Sequence, residues 1–269
     1  MTWLFAFFAF AIGATIGSFL NVVIHRYPRE ESIVFPPSHC PHCNAHIKPY
    51  DNVPILAWLW LRGKCRACRG PIDARYPLVE LANALFYVAI FQRTGVTFGF
   101  IPLAALVSMT IVLIYIDLEI QILPDVIDLP GVAIGLAIGA LHFGALYPDL
   151  LLSRTLLESV AGAAVGAGGL LAIALTYKLL RKVEGMGLGD VKMMAMLGAV
   201  LGWEPLLPLL VLASVAGAIV GIFVAWKSGQ GMQVALPFGV FLGLAFLVML
   251  FFGHPLYELW VSLLLMPGE

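Results

Sequence analysis

Two aspartates lie where apolar sequence meets polar sequence. Asp117 follows the apolar run 111–116, and Asp190 ends the stretch Gly185-Met-Gly-Leu-Gly-Asp190, directly before another apolar run. An ionisable residue at membrane depth is costly, so it points to a function. If their helices pack together, two carboxyl groups at one depth can share a proton and activate water against a peptide carbonyl. The pair therefore predicts aspartic-protease chemistry.

Structural roles are also open for the acids in this part of the chain. Asp190 follows a glycine-rich loop and can be a helix N-cap, a role that is compatible with catalysis. Asp125 follows Pro124, and with Asp128 three residues on it has the pattern of an N-cap and its capping partner. Lys192 can help set the charge state of Asp190, but we expect it to extend to the membrane interface. We interpret Asp125 as a helix cap.

Two further acids differ in how easily they are explained. Glu119 has the pattern of a solvated loop charge. Glu80 lies early in an apolar segment, where an acid needs a partner or a role. Its function stays open at the level of sequence.

The four cysteines form two CxxC pairs, Cys40-Pro-His-Cys43 and Cys65-Arg-Ala-Cys68, separated by 21 residues. This spacing is typical of a zinc ribbon, and four thiolates close a tetrahedral site with no open position for catalysis. The alternatives are two disulfides or free thiols, and a cytoplasmic location disfavours disulfides. Three nearby histidines can replace a cysteine, although solvated loop positions suit them better: His39, His42 and His46.

The composition indicates the solvent in which these residues work. Hydrophobic residues make up 61% of the 269 residues, charged residues make up 12%, and mean hydropathy is +0.96. A soluble core cannot hide this much apolar surface, so the chain predicts an all-α polytopic membrane protein in a lipid bilayer. A net charge of -1 gives no basic face, so we expect no nucleic acid partner.

Apolar runs of about the length that crosses a bilayer predict about eight transmembrane helices, although the second and sixth runs are short. The runs lie near residues 3–24, 77–92, 98–116, 127–146, 156–178, 191–203, 206–226 and 235–253. The first has no basic region before it and is too long for a signal peptide, so we interpret it as a retained helix. The predicted domains are a first helix at 1–25, a small zinc-ribbon-like cytoplasmic domain at 26–76, and a transmembrane peptidase domain at 77–269. The Gly and Ala run 161–172 predicts a closely packed helix face.

Basic residues predict the orientation, because loops rich in Lys and Arg stay in the cytoplasm. If the chain starts outside, all of its 15 Lys and Arg residues except Arg93 and Arg154 fall in inner loops. Both termini are then extracytoplasmic. Asp117 and Asp190 lie at the cytoplasmic boundary.

Motifs along nearly the whole chain resemble those of the bacterial type IV prepilin peptidases, a group of GxGD-type aspartic proteases also called leader peptidases and N-methyltransferases. The matching segments are Gly17-Ser-Phe-Leu-Asn-Val-Val-Ile-His-Arg-Tyr-Pro28, both CxxC pairs, Asp51-Asn-Val-Pro-Ile-Leu56, Leu61-Arg-Gly-Lys-Cys65, Arg75-Tyr-Pro-Leu-Val-Glu80, Ile116-Asp117 through Leu123-Pro-Asp125, and Gly187-Leu-Gly-Asp-Val-Lys192. So many motifs in one order make the resemblance specific.

The resemblance implies cleavage of the basic leader of type IV prepilins and type II secretion pseudopilins after a glycine, at the cytoplasmic side of the bacterial inner membrane. It gives Asp117 and Asp190 as the catalytic pair. Members with both CxxC pairs also methylate the new N-terminal amine with S-adenosylmethionine. No glycine loop of the soluble methyltransferase kind is visible, so this cofactor is implied by the resemblance alone and its binding residues are unknown.

Two rival classes remain distinguishable by sequence or experiment. A transporter or channel would use Asp117 and Asp190 as a polar pathway, and it predicts inverted repeats and a midplane site that the sequence does not display. A zinc-stabilised assembly protein without chemistry predicts that Asp117→Asn leaves the phenotype intact.

Overall fold

The fold is built from α-helices, as the composition predicts. The computed structural model describes residues 2–150, 152–183, 185–228 and 236–265, and within these ranges it contains no β-strand. The helices are α1 Thr2–Arg26, α2 Leu56–Trp60, α3 Arg75–Thr94, α4 Phe100–Ile120, α5 Asp125–Ala140, α6 Phe143–Leu146, α7 Leu156–Arg181, α8 Leu188–Leu201, α9 Leu206–Ser228 and α10 Phe238–Leu265. The all-α prediction is confirmed.

Each of the eight predicted spans corresponds to a helix, but the helices differ in their capacity to cross a bilayer. Five are long and apolar enough: α1, α4, α7, α9 and α10. Helices α5 and α8 have 16 and 14 residues, or about 24 and 21 Å of length at 1.5 Å per residue. Both are shorter than a hydrocarbon core of about 30 Å. The structure thus supports several crossings, whereas the count of eight stays a prediction.

The chain divides within α4 into two compact units, residues 1–112 and 113–269. In the first unit α1 packs along α3. A Cβ placed on Gly17 would lie 2.7 Å from the Cα of Glu80, so only glycine permits this approach. A buried hydrogen bond also joins the two helices: the Asn83 side-chain amide donates to the carbonyl oxygen of Gly13 at 2.7 Å. Small residues and satisfied amides are how helices associate where no water is available.

In the second unit α8 lies against α5 and α7. Helix α7 begins at a capping residue, since the Thr155 side chain accepts the N–H of Glu158 at 3.2 Å. Farther along, a Cβ on either Gly162 or Gly198 would overlap the backbone of the other residue. The predicted close packing of 161–172 is therefore confirmed for this face of α7. Gly168, in contrast, has no neighbour within 4 Å of its Cβ position and belongs to an exposed face of the helix.

Candidate active site

Asp117 lies in the last turn of α4 and is 4% exposed. Its carboxylate Oδ2 accepts the backbone N–H of Val240 at 3.0 Å, and the N–H of Gly239 also bonds to it. Both donors belong to the first turn of α10, where backbone N–H groups have no partner within the helix. The end of one helix thus supplies the acid, and the start of another supplies its hydrogen bonds.

Asp190 lies in the first turn of α8, which begins at Leu188. The N-cap position belongs to Gly187, so the simple prediction that Asp190 is the N-cap is off by three residues. The Asp190 carboxylate instead receives the N–H of Gly187. This is the reciprocal half of a capping box, in which an acid at the third helical residue reaches back to the cap. The side chain is half-buried.

Leu123 connects the surroundings of the two aspartates. A Cβ on Gly189 would lie 2.9 Å from the Leu123 Cβ, and a Cβ on Gly239 would lie 2.9 Å from the Leu123 Cδ1 and 2.8 Å from the Asp117 Oδ2. Leu123 is buried. A side chain at Gly189 would therefore push the start of α8 away from Leu123, and one at Gly239 would push the start of α10 away from it.

Asp117 and Asp190 are close enough for their charges to repel one another. Both predicted catalytic residues belong to the second unit, although they are 73 residues apart in sequence. Like charges in a partly dry site cannot both ionise easily, so such a pair retains one proton between them. This arrangement can supply a base and an acid to one reaction.

The neighbouring charges differ from the sequence interpretation. Helix α5 begins at Asp125 with Pro124 as its cap residue and no side-chain capping bond, so the prediction that Asp125 is an N-cap is wrong. Asp125 instead pairs with Lys192, with 2.6 Å between Nζ and Oδ1. The Asp125 side chain, which was expected to cap α5, therefore forms an ion pair with Lys192 on α8 instead.

Asp128 is the acid that the sequence analysis undervalued. It is 0% exposed, and neither of its carboxyl oxygens has a hydrogen-bond donor among the described residues. The charges that act on it belong to Asp125, Lys192 and Asp190. A buried carboxyl group without donors is held as the neutral acid. Asp128 is thus a second carboxyl group beside Asp190, with no capping bond of its own.

The structure gives Glu80 the partner that the sequence could not identify. Its Oε2 accepts the backbone N–H of Ile55 at 2.6 Å, and Ser18 also donates to it. Ile55 has a φ of 63°, a conformation that a β-branched residue rarely adopts. Glu80 therefore fixes the loop before α2. Glu119 is exposed as expected, although it belongs to α4 rather than to a loop.

The four cysteines form a cluster of the size that one metal ion requires. All four Sγ atoms lie within 4.8 Å of one another, and the Sγ atoms of Cys40 and Cys68 are 3.8 Å apart. Zn–S bonds of about 2.3 Å in a tetrahedron place sulfur atoms at about this separation. The residue after each pair, Asn44 or Arg69, has a positive φ, which closes two similar tight turns around the cluster. The histidines are exposed, and among the described residues the metal-sized group consists of cysteines.

An ion pair braces this segment. The Arg66 guanidinium donates to both carboxylate oxygens of Asp51, at 2.6 and 2.7 Å. These hydrogen bonds, together with the positive charge, hold the pKa of Asp51 below its usual value. The pair joins the residue after the third cysteine to the Asp51 motif, so folding around the cysteines also places that loop.

Gly239 and Val240 were not predicted as site residues from the sequence. A signal for them exists in Leu236-Pro237-Phe238-Gly239, where proline precedes the apolar run and favours a helix start. A helix start presents free N–H groups to a nearby anion. What the sequence could not give is which of the many acids these groups would meet.

The chain is similar to known proteins over most of its length. Residues 11–94 match the Bacterial Peptidase A24 N-terminal domain, and residues 104–222 match the Type IV leader peptidase family. No solved structure matches the chain.

Several relatives carry the name Prepilin leader peptidase/N-methyltransferase. The relative from Aeromonas hydrophila is 37% identical, over 97% of this chain and 96% of its own. The relative from Burkholderia pseudomallei (strain 1026b) is 38% identical, over 94% and 87%. The relative from Myxococcus xanthus is 41% identical, over 84% and 65%. This chain therefore belongs to the type IV leader peptidase family, a family of proteases.

Proposed function

We propose that this protein cleaves the leader peptide of type IV prepilins and type II secretion pseudopilins, with Asp117 and Asp190 as its catalytic pair. The observation that carries the proposal is that both acids belong to the second unit and lie close enough for their charges to interact. Its relatives act on prepilins by name. Asp117 is buried and Asp190 is half-buried, which suits a reaction that must control its own water.

The chemistry follows from a pair that shares one proton. The ionised carboxylate removes a proton from water while the protonated carboxyl group donates to the peptide carbonyl oxygen. The tetrahedral adduct then breaks its C–N bond: the amine leaves with the proton taken from water, and a hydroxyl group of the adduct returns a proton to the other carboxylate. The pair ends in its starting protonation state, so it needs no other cofactor for hydrolysis.

The location that suits this reaction is the cytoplasmic face of the bacterial inner membrane. Basic residues concentrate in the loops that the proposal places inside. A prepilin has a basic leader followed by an apolar helix, so its scissile bond lies at the same boundary as the two acids. We propose eight spans in this arrangement, with residues 26–76 as a cytoplasmic domain between the first two.

We also propose that the protein N-methylates the new N-terminal residue with S-adenosylmethionine, because its relatives are named for both activities. The methyl donor is a cofactor of that second reaction only. The peptidase site described above has no role for it.

The cysteine cluster is proposed to hold one structural Zn²⁺ through Cys40, Cys43, Cys65 and Cys68. Their sulfur separations fit a tetrahedral tetrathiolate site. Bound zinc would stabilise a segment of about 50 residues that has little apolar core. With four protein ligands the ion has no position left for a reacting water.

The proposal is tested by incubating purified enzyme in detergent with a prepilin and following leader loss by mass spectrometry. Asp117→Asn and Asp190→Asn should each abolish cleavage while the protein still inserts and melts cooperatively. The matched control is Glu119→Gln, an exposed acid on the same helix as Asp117, which should cleave normally. Full activity in either aspartate variant would contradict the pair. It would favour a scaffold or transport role instead.

The same experiment tests methylation. Adding S-adenosylmethionine should raise the mass of the mature product by about 14 Da, the mass of one added methylene, in the wild type. Asp117→Asn should still methylate a product that was cleaved beforehand. An unchanged product mass in the presence of the donor would remove the second activity and leave the first.

A further inference from the structure

The two acids of the pair have different numbers of hydrogen-bond donors. Asp117 receives the N–H groups of Val240 and Gly239, the former at 3.0 Å. Asp190 receives only the N–H of Gly187 among the bonds described for its carboxylate. Asp190 lies in the first turn of α8, whereas Asp117 lies in the last turn of α4 and accepts hydrogen bonds from the first turn of α10. The dipoles of α8 and α10 favour a negative charge on either acid, and the C-terminal end of α4 opposes one on Asp117, so the donor count is what distinguishes them.

The neighbouring acids give Asp190 no compensating partner. Asp128 on α5 lies near Asp190, and Asp125 lies near Asp128. Asp128 favours its neutral form, and the charge of Asp125 is paired with the Lys192 ammonium group, so these neighbours offer Asp190 neither a donor nor a net positive charge. Toward Asp117, α10 presents backbone N–H groups, and Glu119 on α4 is exposed. Negative charge is thus better accommodated on Asp117 than on Asp190.

From this geometry we infer that Asp117 is the ionised base of the pair and Asp190 is the acid that holds the proton, with the first turn of α10 as the element that fixes this assignment. The inference rests on the proposed peptidase function. Asp117 takes the proton from water as the water oxygen bonds to the carbonyl carbon, and Asp190 gives its proton to the carbonyl oxygen. The proton on Asp117 then goes to the leaving nitrogen, and Asp190 recovers a proton from the collapsing adduct.

Gly239 and Val240 are positioning residues in this scheme. A Cβ on Gly239 would lie 2.8 Å from the Asp117 Oδ2 and 2.9 Å from Leu123. Any side chain would therefore separate α10 from the carboxylate. Val240 acts through its N–H, so its contribution survives side-chain substitution but not the loss of the donor.

The first test removes that donor. Proline is tolerated in the first turn of a helix, where the N–H has no helical partner, so Val240→Pro deletes the bond to Asp117. Val240→Ala is the control, because it removes the side chain and keeps the N–H. For leader cleavage, the acid limb of the kcat/KM profile should move to higher pH by about one unit in Val240→Pro. It should stay in place in Val240→Ala. An unmoved acid limb in Val240→Pro, or an equal movement in both variants, would overturn the assignment.

The second test needs no activity and covers the case in which Val240→Pro fails to fold. Asparagine resembles a protonated carboxyl group, so Asp190→Asn should melt within a few degrees of the wild type. Asp117→Asn loses the charge that the α10 donors stabilise, so its Tm in detergent should fall clearly further. Equal losses, or a larger loss in Asp190→Asn, would contradict the inference. If the wild type does not cleave prepilin at all, the proposed function fails, while this comparison of Tm values still decides where the charge lies.

Discussion

Glu80 and Ile55 are joined by a 2.6 Å hydrogen bond from the backbone N–H of Ile55 to the glutamate Oε2. The bond fixes a loop residue with a φ of 63° against the buried side of α3. Because Glu80 is 8% exposed, the interaction is shielded from water. This hydrogen bond links the motif at residues 51–56 with the contact between α1 and α3.

We expect Glu80→Ala to lower the free energy of unfolding by about 1.5 to 3 kcal/mol, the range for hydrogen bonds to charged groups. Glu80→Gln keeps an acceptor oxygen and should lose less. Thermal melting of both variants in one detergent measures the difference. If both variants melt at the same temperature, the bond to Ile55 is not what Glu80 contributes.

Gly162→Ala is expected to destabilise the α7–α8 contact, because its Cβ would overlap the backbone at Gly198. Overpacking of this kind costs about 1 to 3 kcal/mol. Since α8 carries Asp190, leader cleavage should decline as well. Gly168→Ala is the matched control on the same helix, and with no neighbour within 4 Å it should stabilise α7 by up to about 1 kcal/mol. Equal effects at the two glycines would refute the described helix contact.

Asp128→Asn tests the buried acid without donors. Burial favours the neutral form of this side chain in the folded protein, whereas the unfolded chain ionises above about pH 4, so its cost to stability grows as pH rises from there. The variant carries no such cost. Its Tm should exceed that of the wild type at pH 8, and the two should converge near pH 4. A lower Tm for the variant across this range would mean that Asp128 has a donor in solution.

The Asp51–Arg66 pair predicts the opposite dependence on pH. The pKa of Asp51 is lower in the folded protein, so its contribution to stability is complete above the unfolded value of about 3.9. It is lost as pH falls through the folded value. The Tm difference between wild type and Asp51→Asn should therefore be present at pH 7 and vanish in strong acid. The difference should be small, because the Arg66 side chain is 52% exposed. A gap that widens toward acid pH would exclude this pairing.

Removal of the metal should affect stability more than chemistry. Elemental analysis should find one zinc per chain in the wild type and clearly less in Cys65→Ser, with a lower Tm. His42→Ala is the control and should keep its zinc. Residual cleavage by the metal-depleted enzyme is expected, since the cluster belongs to the first unit and both aspartates to the second. Retention of the full zinc content in Cys65→Ser would contradict a four-cysteine site.

The sequence predicted those features that repeat locally or depend on composition. The helical class, the cysteine pairs and the two acids at helix ends all follow from residue types at short spacing. The length of α5 was less predictable, because the apolar run 127–146 continues beyond its 16 residues, whereas the 14-residue α8 is as short as its run 191–203.

Partners that are distant in sequence could not be predicted. Asp125 matched a capping pattern, but Lys192 is 67 residues away and an ion pair with it replaced the cap. The bond between Val240 and Asp117 spans 123 residues. Such pairs depend on how the helices pack, and a single sequence contains no local signal for them.

The cysteine cluster also has a consequence for biosynthesis. Its four ligands lie between residues 40 and 68, and Cys68 precedes Asp117 by 49 residues. At about 5 to 20 residues per second, a ribosome needs roughly 2 to 10 s to make that interval. If the cluster binds zinc as proposed, it can therefore close on a nascent chain before either of the two proposed catalytic acids has been synthesised. In a cell that is short of zinc, the cysteine segment would therefore fail to fold before the rest of the protein has been synthesised.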